Sequence, residues 1–398
     1  MFKPGGGHLM RQIGAHEHAR VTYIELFFDL VFVFAVTQLS HTLLKHLTWD
    51  GVTHTLLLFL AVWWVWIYTS WVTNWLDPER TPVRLLLLAM MLAGLLLSTS
   101  LPGAFHDKAL PFAAAYVFMQ VGRSLFTIWG LGSASPANTR NFQRISIWLS
   151  LSGVLWIAGA FANDGERMGY WIVALAIEYA GPSAGFWVPR LGKSTTADWN
   201  VEGAHLAERC SLFIIIALGE SILVTGATFA ELEWRWIDVA AFATAFVGTV
   251  AMWWIYFDTG AERGSDRIAH SRDPGRLARL NYTYLHLLIV GGIVVTAVGD
   301  ELILAHALGH AEPPAVAAIV GGPALYLLGN LLFKWTLARR PPLSHLAGLL
   351  MLALLTPAAI YLPPLLSGVA TTAALIVVAT WETVALTRQH MRDFRKGV

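Results

Sequence analysis

The sequence predicts an all-α polytopic membrane protein: twelve transmembrane helices as two tandem parallel six-helix repeats, with both termini cytoplasmic. Three observations lead there. Apolar residues make up 56% of the 398 residues and charged residues 13%, about half the roughly 25% of a typical globular chain. The chain divides into apolar stretches of about 20 residues, the length that crosses ~30 Å of hydrocarbon as a helix. Its basic residues are spread very unevenly over alternate connecting segments.

A mean hydropathy of +0.56 leaves too few charges to coat a soluble particle of this size. That excludes a cytosolic enzyme and a disordered scaffold. The net charge of +1 and the lack of a basic patch exclude a nucleic-acid partner. The single cysteine, Cys210, can form neither an internal disulfide nor a cysteine-based zinc site. No cofactor or metal centre is expected.

The predicted spans are 22–44, 51–73, 82–101, 109–131, 142–162, 168–188, 205–230, 236–257, 281–304, 313–335, 343–362 and 366–388. The first carries Glu25 and Asp29 and lacks a small-residue cleavage site, so it reads as a retained helix and not a signal peptide. Chain-breaking pairs punctuate the series in order: Asp77-Pro78, Pro102-Gly103, Ser135-Pro136, Gly181-Pro182, Asp273-Pro274, Pro313-Pro314, Pro341-Pro342 and Pro363-Pro364. The runs are continuous, unlike the ten-residue alternations of a β-barrel. Trp49, Trp234 and Trp236 fall at predicted membrane boundaries, where amphipathic rings concentrate.

Orientation follows from charge. Segments 1–21, 74–84, 132–144, 189–204, 258–280, 334–342 and 388–398 hold 21 of the 27 Lys and Arg. The alternate segments hold Lys45, Lys108, Arg167 and Arg235. The positive-inside rule puts the first set, both termini included, in the cytoplasm. The string Arg263, Arg267, Arg272, Arg276 and Arg279 in 258–280 reads as a solvated connector, or else as a contact for anionic lipid.

The two halves resemble each other. Trp66-Ile67-Tyr68 matches Trp254-Ile255-Tyr256, and Asp77-Pro78 matches Asp273-Pro274. Gly122 with Leu125-Phe126 matches Gly329 with Leu332-Phe333, and Glu178 matches Glu382. The matches keep their order within a six-span unit, so parallel repeats are expected, with functional sites near their junction at mid-membrane. The organisation is then a cytoplasmic segment 1–21, a first repeat 22–188, a cytoplasmic linker 189–204, a second repeat 205–388 and a cytoplasmic tail 389–398.

Ionisable groups in hydrocarbon cost about 2.5–3.5 kcal/mol each on insertion scales. Glu25 and Asp29 are four residues apart, so they stack on one helical face. Burial and mutual repulsion both work against ionising that pair together, as a protonatable or cation-binding site requires; neutralisation by Arg20 or an arginine of another helix is the structural alternative. Span seven carries His205, Glu208 and Arg209, then Gly219-Glu220-Ser221 in mid-helix. Arg209 and Glu220 lie about 16 Å apart along the helix and need separate partners. Glu178 and Glu382 are expected as paired ligands or as a duplicated packing bond. In span nine His286 lies near the inner end, and Asp300 and Glu301 near the outer end, as vestibule groups or interfacial anchors. Arg123 is expected to balance one of these acids.

The stretch Glu25-Leu-Phe-Phe-Asp29 through Ser40-His41 resembles the opening signature of the bacterial low temperature requirement A (LtrA) family. His205, Glu208-Arg209 and Gly219-Glu220-Ser221 are similar to its second signature. Tyr284-Leu285-His286 with Gly299-Asp300-Glu301 resembles its third. The resemblance implies a bacterial inner-membrane protein of a family named for a requirement during growth in the cold. A fainter resemblance links Arg20 and Phe27-Phe28-Asp29 to the endolysosomal potassium channels with tandem six-helix repeats. Those carry a serine where Phe28 stands, and span seven has no Phe-x-Asp equivalent.

The functional expectation is a proton- or cation-coupled transporter of a small solute, with the bilayer and a proton or monovalent cation as partners. The pathway would be lined by Glu25, Asp29, Glu178, Glu208, Arg209, Glu220, Ser221, His286, Asp300, Glu301 and Glu382. The alternatives are a cation channel, and a membrane sensor or scaffold without transport. No mid-membrane lysine, phosphate-binding glycine loop, potassium-filter motif, His-Glu-x-x-His or nucleophile elbow occurs, so no enzyme is expected.

Overall fold

The computed structural model describes residues 9–11, 20–195, 202–258 and 273–396, the side chains of Pro274 and of 389–396 excepted. Its regular structure is helical; among the described residues no strand forms, only the isolated bridges Met10–Leu76 and Val188–Gly192. Helices follow the apolar runs because in hydrocarbon each backbone N–H and C=O must be bonded within the chain. Nine helices of the described residues are long and apolar enough to cross a membrane. Arg263, Arg267 and Arg272 of the basic string lie outside the described residues.

The chain divides into two compact units. The first comprises residues 1–42, 49–209 and 268–278. It holds α1 (Tyr23–Lys45, as far as Thr42), α2 (Trp49–Trp75), α3 (Thr81–Ser100), α4 (Ala109–Val117), α5 (Arg123–Leu131), α6 (Pro136–Phe161) and α7 (Asp164–Ala180). A π-turn, Phe118–Gly122, joins α4 to α5 within the 109–131 stretch. Pro82 and Pro136 occupy the first turns of α3 and α6, where a missing N–H costs nothing. The core gathers on α2, whose Trp63, Trp64 and Trp66 are all buried. Phe112, Tyr116, Trp156 and Trp171 form a second aromatic layer where α4, α6 and α7 pack.

The second unit comprises residues 43–48, 210–267 and 279–398. Helix α8 (Gly203–Ala230) enters it at Cys210. There follow α9 (Trp236–Phe257), α11 (His286–Ala305), α12 (Pro313–Ala338), α13 (Leu343–Ala359) and α14 (Pro364–Lys396). The short α10 (Pro274–Ala278) lies in the first unit and runs through a π-turn, Arg279–Leu285, into α11. Helices α11 and α12 meet backbone to backbone. A Cβ on Gly292 would lie 2.4 Å from Tyr326 N, and one on Gly322 would lie 2.5 Å from Thr296 N. Small residues at such crossings let membrane helices gain dispersion contact that lipid cannot replace.

Two predicted spans are shorter than expected. The sixth ends at Ala180, not at 188: Gly181-Pro182 stops it, and Phe186 N–H turns back to Gly181 O at 2.8 Å. Proline cannot donate to a continuing helix. The eleventh is helical only over Leu343–Ala359.

The glycine contact is directly testable. Gly292→Ala forces α11 from α12 and should cost about 1–3 kcal/mol, typical of overpacking, read as a lower thermal unfolding midpoint in detergent. Gly321→Ala, whose Cβ meets nothing within 4 Å, should match or exceed the parent. Equal midpoints for the two variants contradict the packing described.

Candidate functional site

The most polar buried cluster of the first unit stands where α1 and α8 begin and α2 ends. Thr22 precedes α1, and its backbone N–H and its hydroxyl both donate to Glu25 Oε2 at 2.9 Å. This is one half of a capping box, with Glu25 three residues into the helix. Glu25 therefore lies at the mouth of α1, and Asp29 about one turn, roughly 6 Å, deeper. On α8, His205 and Arg209 have the same four-residue spacing, so two ladders face each other.

The rungs are short. His205 Nε2 lies 2.9 Å from Glu25 Oε1. Arg209 forks: Nη1 donates to Glu25 Oε1 at 3.1 Å and Nη2 to Asp29 Oδ1 at 2.5 Å. Arg11 Nη2 reaches Glu25 Oε2 at 3.4 Å and Thr73 O at 3.0 Å. Trp66 Nε1 donates to Asp29 Oδ1 at 2.8 Å. Glu25, Asp29, His205 and Arg209 are all 0% exposed. Two carboxylates against two guanidiniums leave the cluster neutral while His205 is uncharged. Asn74 Nδ2 lies 3.3 Å from His205 Nδ1, which fits a neutral ring with its proton on Nε2, facing Glu25. Asn74 also clasps the residue before α8, giving Nδ2 to Glu202 O at 2.8 Å and taking Glu202 N–H at 2.9 Å.

The two acids are not equivalent. Both oxygens of Glu25 are engaged, whereas Asp29 Oδ2 has no hydrogen-bond partner among the described residues. A fully buried carboxylate oxygen without a donor is costly, and marks a place for a proton, a cation or water. Glu208, beside Arg209, points outward and accepts Val21 N–H at 3.2 Å.

The other sequence-predicted residues fall into separate networks. Glu178 on α7 takes Tyr116 OH (2.5 Å) and Gln120 Nε2 (3.2 Å) on one oxygen, and Ser152 Oγ (2.7 Å) and Trp156 Nε1 (3.0 Å) on the other. Arg123 does not touch an acid, contrary to the sequence expectation. It donates to Val65 O, Thr69 Oγ1 and Gln120 Oε1, so it meets Glu178 only through the Gln120 amide. The π-turn supplies the reason, since it carries Gln120 between them.

In the second unit, Lys334 Nζ donates to Glu382 at 2.6 Å, and His345 Nδ1 lies 3.4 Å from the same carboxylate. Glu178 has neutral donors and Glu382 a cation, so the two environments are not copies of one packing bond. His286 Nδ1 faces Asn281 O at 2.8 Å, which leaves Nε2 to accept from Tyr256 OH at 2.8 Å. Glu220 and Ser221 are buried in mid-α8, and Asp300 is buried beside a half-buried Glu301. In the first unit the Glu25–Asp29 pair and Glu178 are held by different donors, from α8 and α2 in one case and from α4, α6 and the π-turn in the other. No group of three or more metal-ligating side chains forms among the described residues.

Sequence reasoning missed Arg11, Thr22, Trp66, Thr73 and Asn74 as members of the site. Thr22-x-x-Glu25 was a readable capping signal; the others are brought in by the end of α2.

Comparison with known proteins places the chain in a family. Residues 20–380 match the family described as bacterial low temperature requirement A protein (LtrA). Uncharacterized protein RA0937 of Rhizobium meliloti (strain 1021) is 42% identical over 384 residues, covering 94% of this chain and 91% of that protein. No solved structure matches. The matched region takes in Glu25, Asp29, His205 and Arg209, eight of the nine apolar helices of the described residues and part of the ninth, and the chain is thus a multi-pass membrane protein belonging to the bacterial LtrA family.

Proposed function

We propose that the protein is a proton- or cation-coupled transporter of a small solute, and that Asp29 is the coupling seat. The observation that carries this reading is the open Oδ2 of a wholly buried Asp29 whose other oxygen holds Arg209. A proton on Oδ2, or a cation beside it, removes most of the attraction between Asp29 and Arg209. Arg209 stays tethered to Glu25 and Thr73, so the guanidinium gains a second position without losing its remaining carboxylate. Arg209 is the last residue of the first unit on α8, and Cys210 the first of the second. A change at Arg209 is therefore applied to the helix that both units share. The wider frame is twelve spans in two parallel six-helix repeats, both termini cytoplasmic, in the bacterial inner membrane.

A sensor or scaffold without transport is favoured by a different observation: Glu25 and Glu178 already have donors on both oxygens. Such acids act as fixed cross-links between helices.

Two measurements test these readings. In pyranine-loaded vesicles holding the purified protein, an outward sodium or potassium gradient should drive proton entry. Asp29→Asn should slow it to the rate of protein-free vesicles, and Glu382→Gln should leave it unchanged. Parent protein no faster than empty vesicles, or an unimpaired Asp29→Asn, removes the transport reading. For topology, single cysteines at Glu79 and Arg190 in a Cys210→Ala background should react with an impermeant maleimide only from the cytoplasmic face. Those at Asp107 and Glu166 should react only from the other. Labelling of Glu79 and Asp107 positions from one face contradicts the span order.

A further inference from the structure

Helices α9 and α14 of the second unit touch at small residues and then part. At the contact, a Cβ on Gly248 would lie 3.2 Å from Thr372 Oγ1, which is 3.5 Å from Thr244 O. Beyond it, the helices enclose a groove of about 330 Å³ whose walls include Val247, Val250, Ala251, Ile376 and Ala379. The seven residue steps from Val247 to Trp254 make it about 10 Å long. Its far end is bridged, since Trp254 Nε1 donates to Thr383 Oγ1 at 2.9 Å and Thr383 donates to Asp258 Oδ2 at 2.6 Å.

Both walls belong to helices long and apolar enough to cross a membrane. The deep end is hydrocarbon; the mouth carries a hydroxyl, an indole and an exposed carboxylate at the end of α9. Trp253 and Trp254, both partly exposed, mark that end as the boundary level where such rings settle. This grading, apolar inward and anionic at the mouth, is the complement of one lipid class.

We propose that the groove holds an acyl chain of a phospholipid whose headgroup carries a primary ammonium, with that ammonium against Asp258. The chain fills the space between Val250 and Ile376, which no side chain of the two helices fills. The carboxylate attracts the ammonium and disfavours a headgroup with phosphate as its sole charge. The site is independent of the Asp29 cluster, and its occupancy does not require transport.

The test uses the full chain in nanodiscs of mixed phosphatidylethanolamine and phosphatidylglycerol, with a trace of either lipid carrying a diazirine on its acyl chain. After photolysis, peptides are mapped by mass spectrometry. The ethanolamine probe should label 247–254 and 376–384 severalfold above the lipid-facing leucines of α3, and the glycerol probe should not. Thr380→Trp, or Val250→Phe from the opposite wall, should abolish that excess while α3 labelling stays constant. Asp258→Asn should make the two probes equal while the chain remains in the groove. Labelling no higher than on α3, an excess that survives in the folded groove-filling variants, or equal labelling by both probes in the parent overturns the proposal.

Discussion

A guanidinium sealed from water must have its charge answered within hydrogen-bond distance, because the desolvation of an unpaired ion amounts to several kcal/mol. Arg209 sets that condition for the first unit. Its two arms need acceptors a helical turn apart, and Glu25 and Asp29 supply them only if α1 runs alongside the start of α8 in one register. The end of α2 must then bring Trp66 to Asp29 and Asn74 to the turn before α8. The bridge Met10–Leu76 and the bond from Arg11 N–H to Trp75 O place Arg11 against the far side of Glu25. One buried cation thus fixes the relative placement of α1, α2 and the first turns of α8.

The same physical requirement is met in other ways elsewhere. Glu178 receives four neutral donors, and the nearest guanidinium, Arg123, is separated from it by the Gln120 amide. Lys334 answers Glu382 at 2.6 Å and also donates to Ile255 O at 2.8 Å. His286 needs no counter-charge, since a neutral ring with one carbonyl and one phenol satisfies both nitrogens. Saturated groups of this kind hold helices together. Asp29, with one oxygen engaged and one open, can change its state without dismantling its surroundings, which is why the proposed coupling role is placed on it.

Membrane class was legible in composition alone, and the helices stand where apolar stretches and their proline breakers put them. Pro136 and Pro313 each open a helix as expected. The π-turn at Phe118–Gly122 was not legible, because its sequence is as apolar as its flanks, and it decides where Gln120 and Arg123 point. The end of α7 was misplaced because apolar residues continue past Gly181-Pro182 into a turn. At the site, the four-residue spacing gave the shared face of Glu25 and Asp29 correctly, and the matching spacing of His205 and Arg209 was equally visible. Their pairing was not, since 180 residues separate the partners and neither periodicity nor spacing specifies which helices become neighbours. The separation of Glu178 from the Glu25–Asp29 pair was not legible for the same reason: intramembrane cost says that an acid needs a partner, not which one.

The claim on which the rest depends is that Arg209 is held by Asp29 as well as Glu25. A double-mutant cycle in detergent, comparing the unfolding free energies of Asp29→Asn, Arg209→Gln and the double variant, measures that contact directly. The account predicts a coupling of about 1–3 kcal/mol, with Asp29→Asn far less damaging once Arg209 is gone. Additivity within about 0.3–0.5 kcal/mol would mean that the two side chains do not interact, and would contradict it.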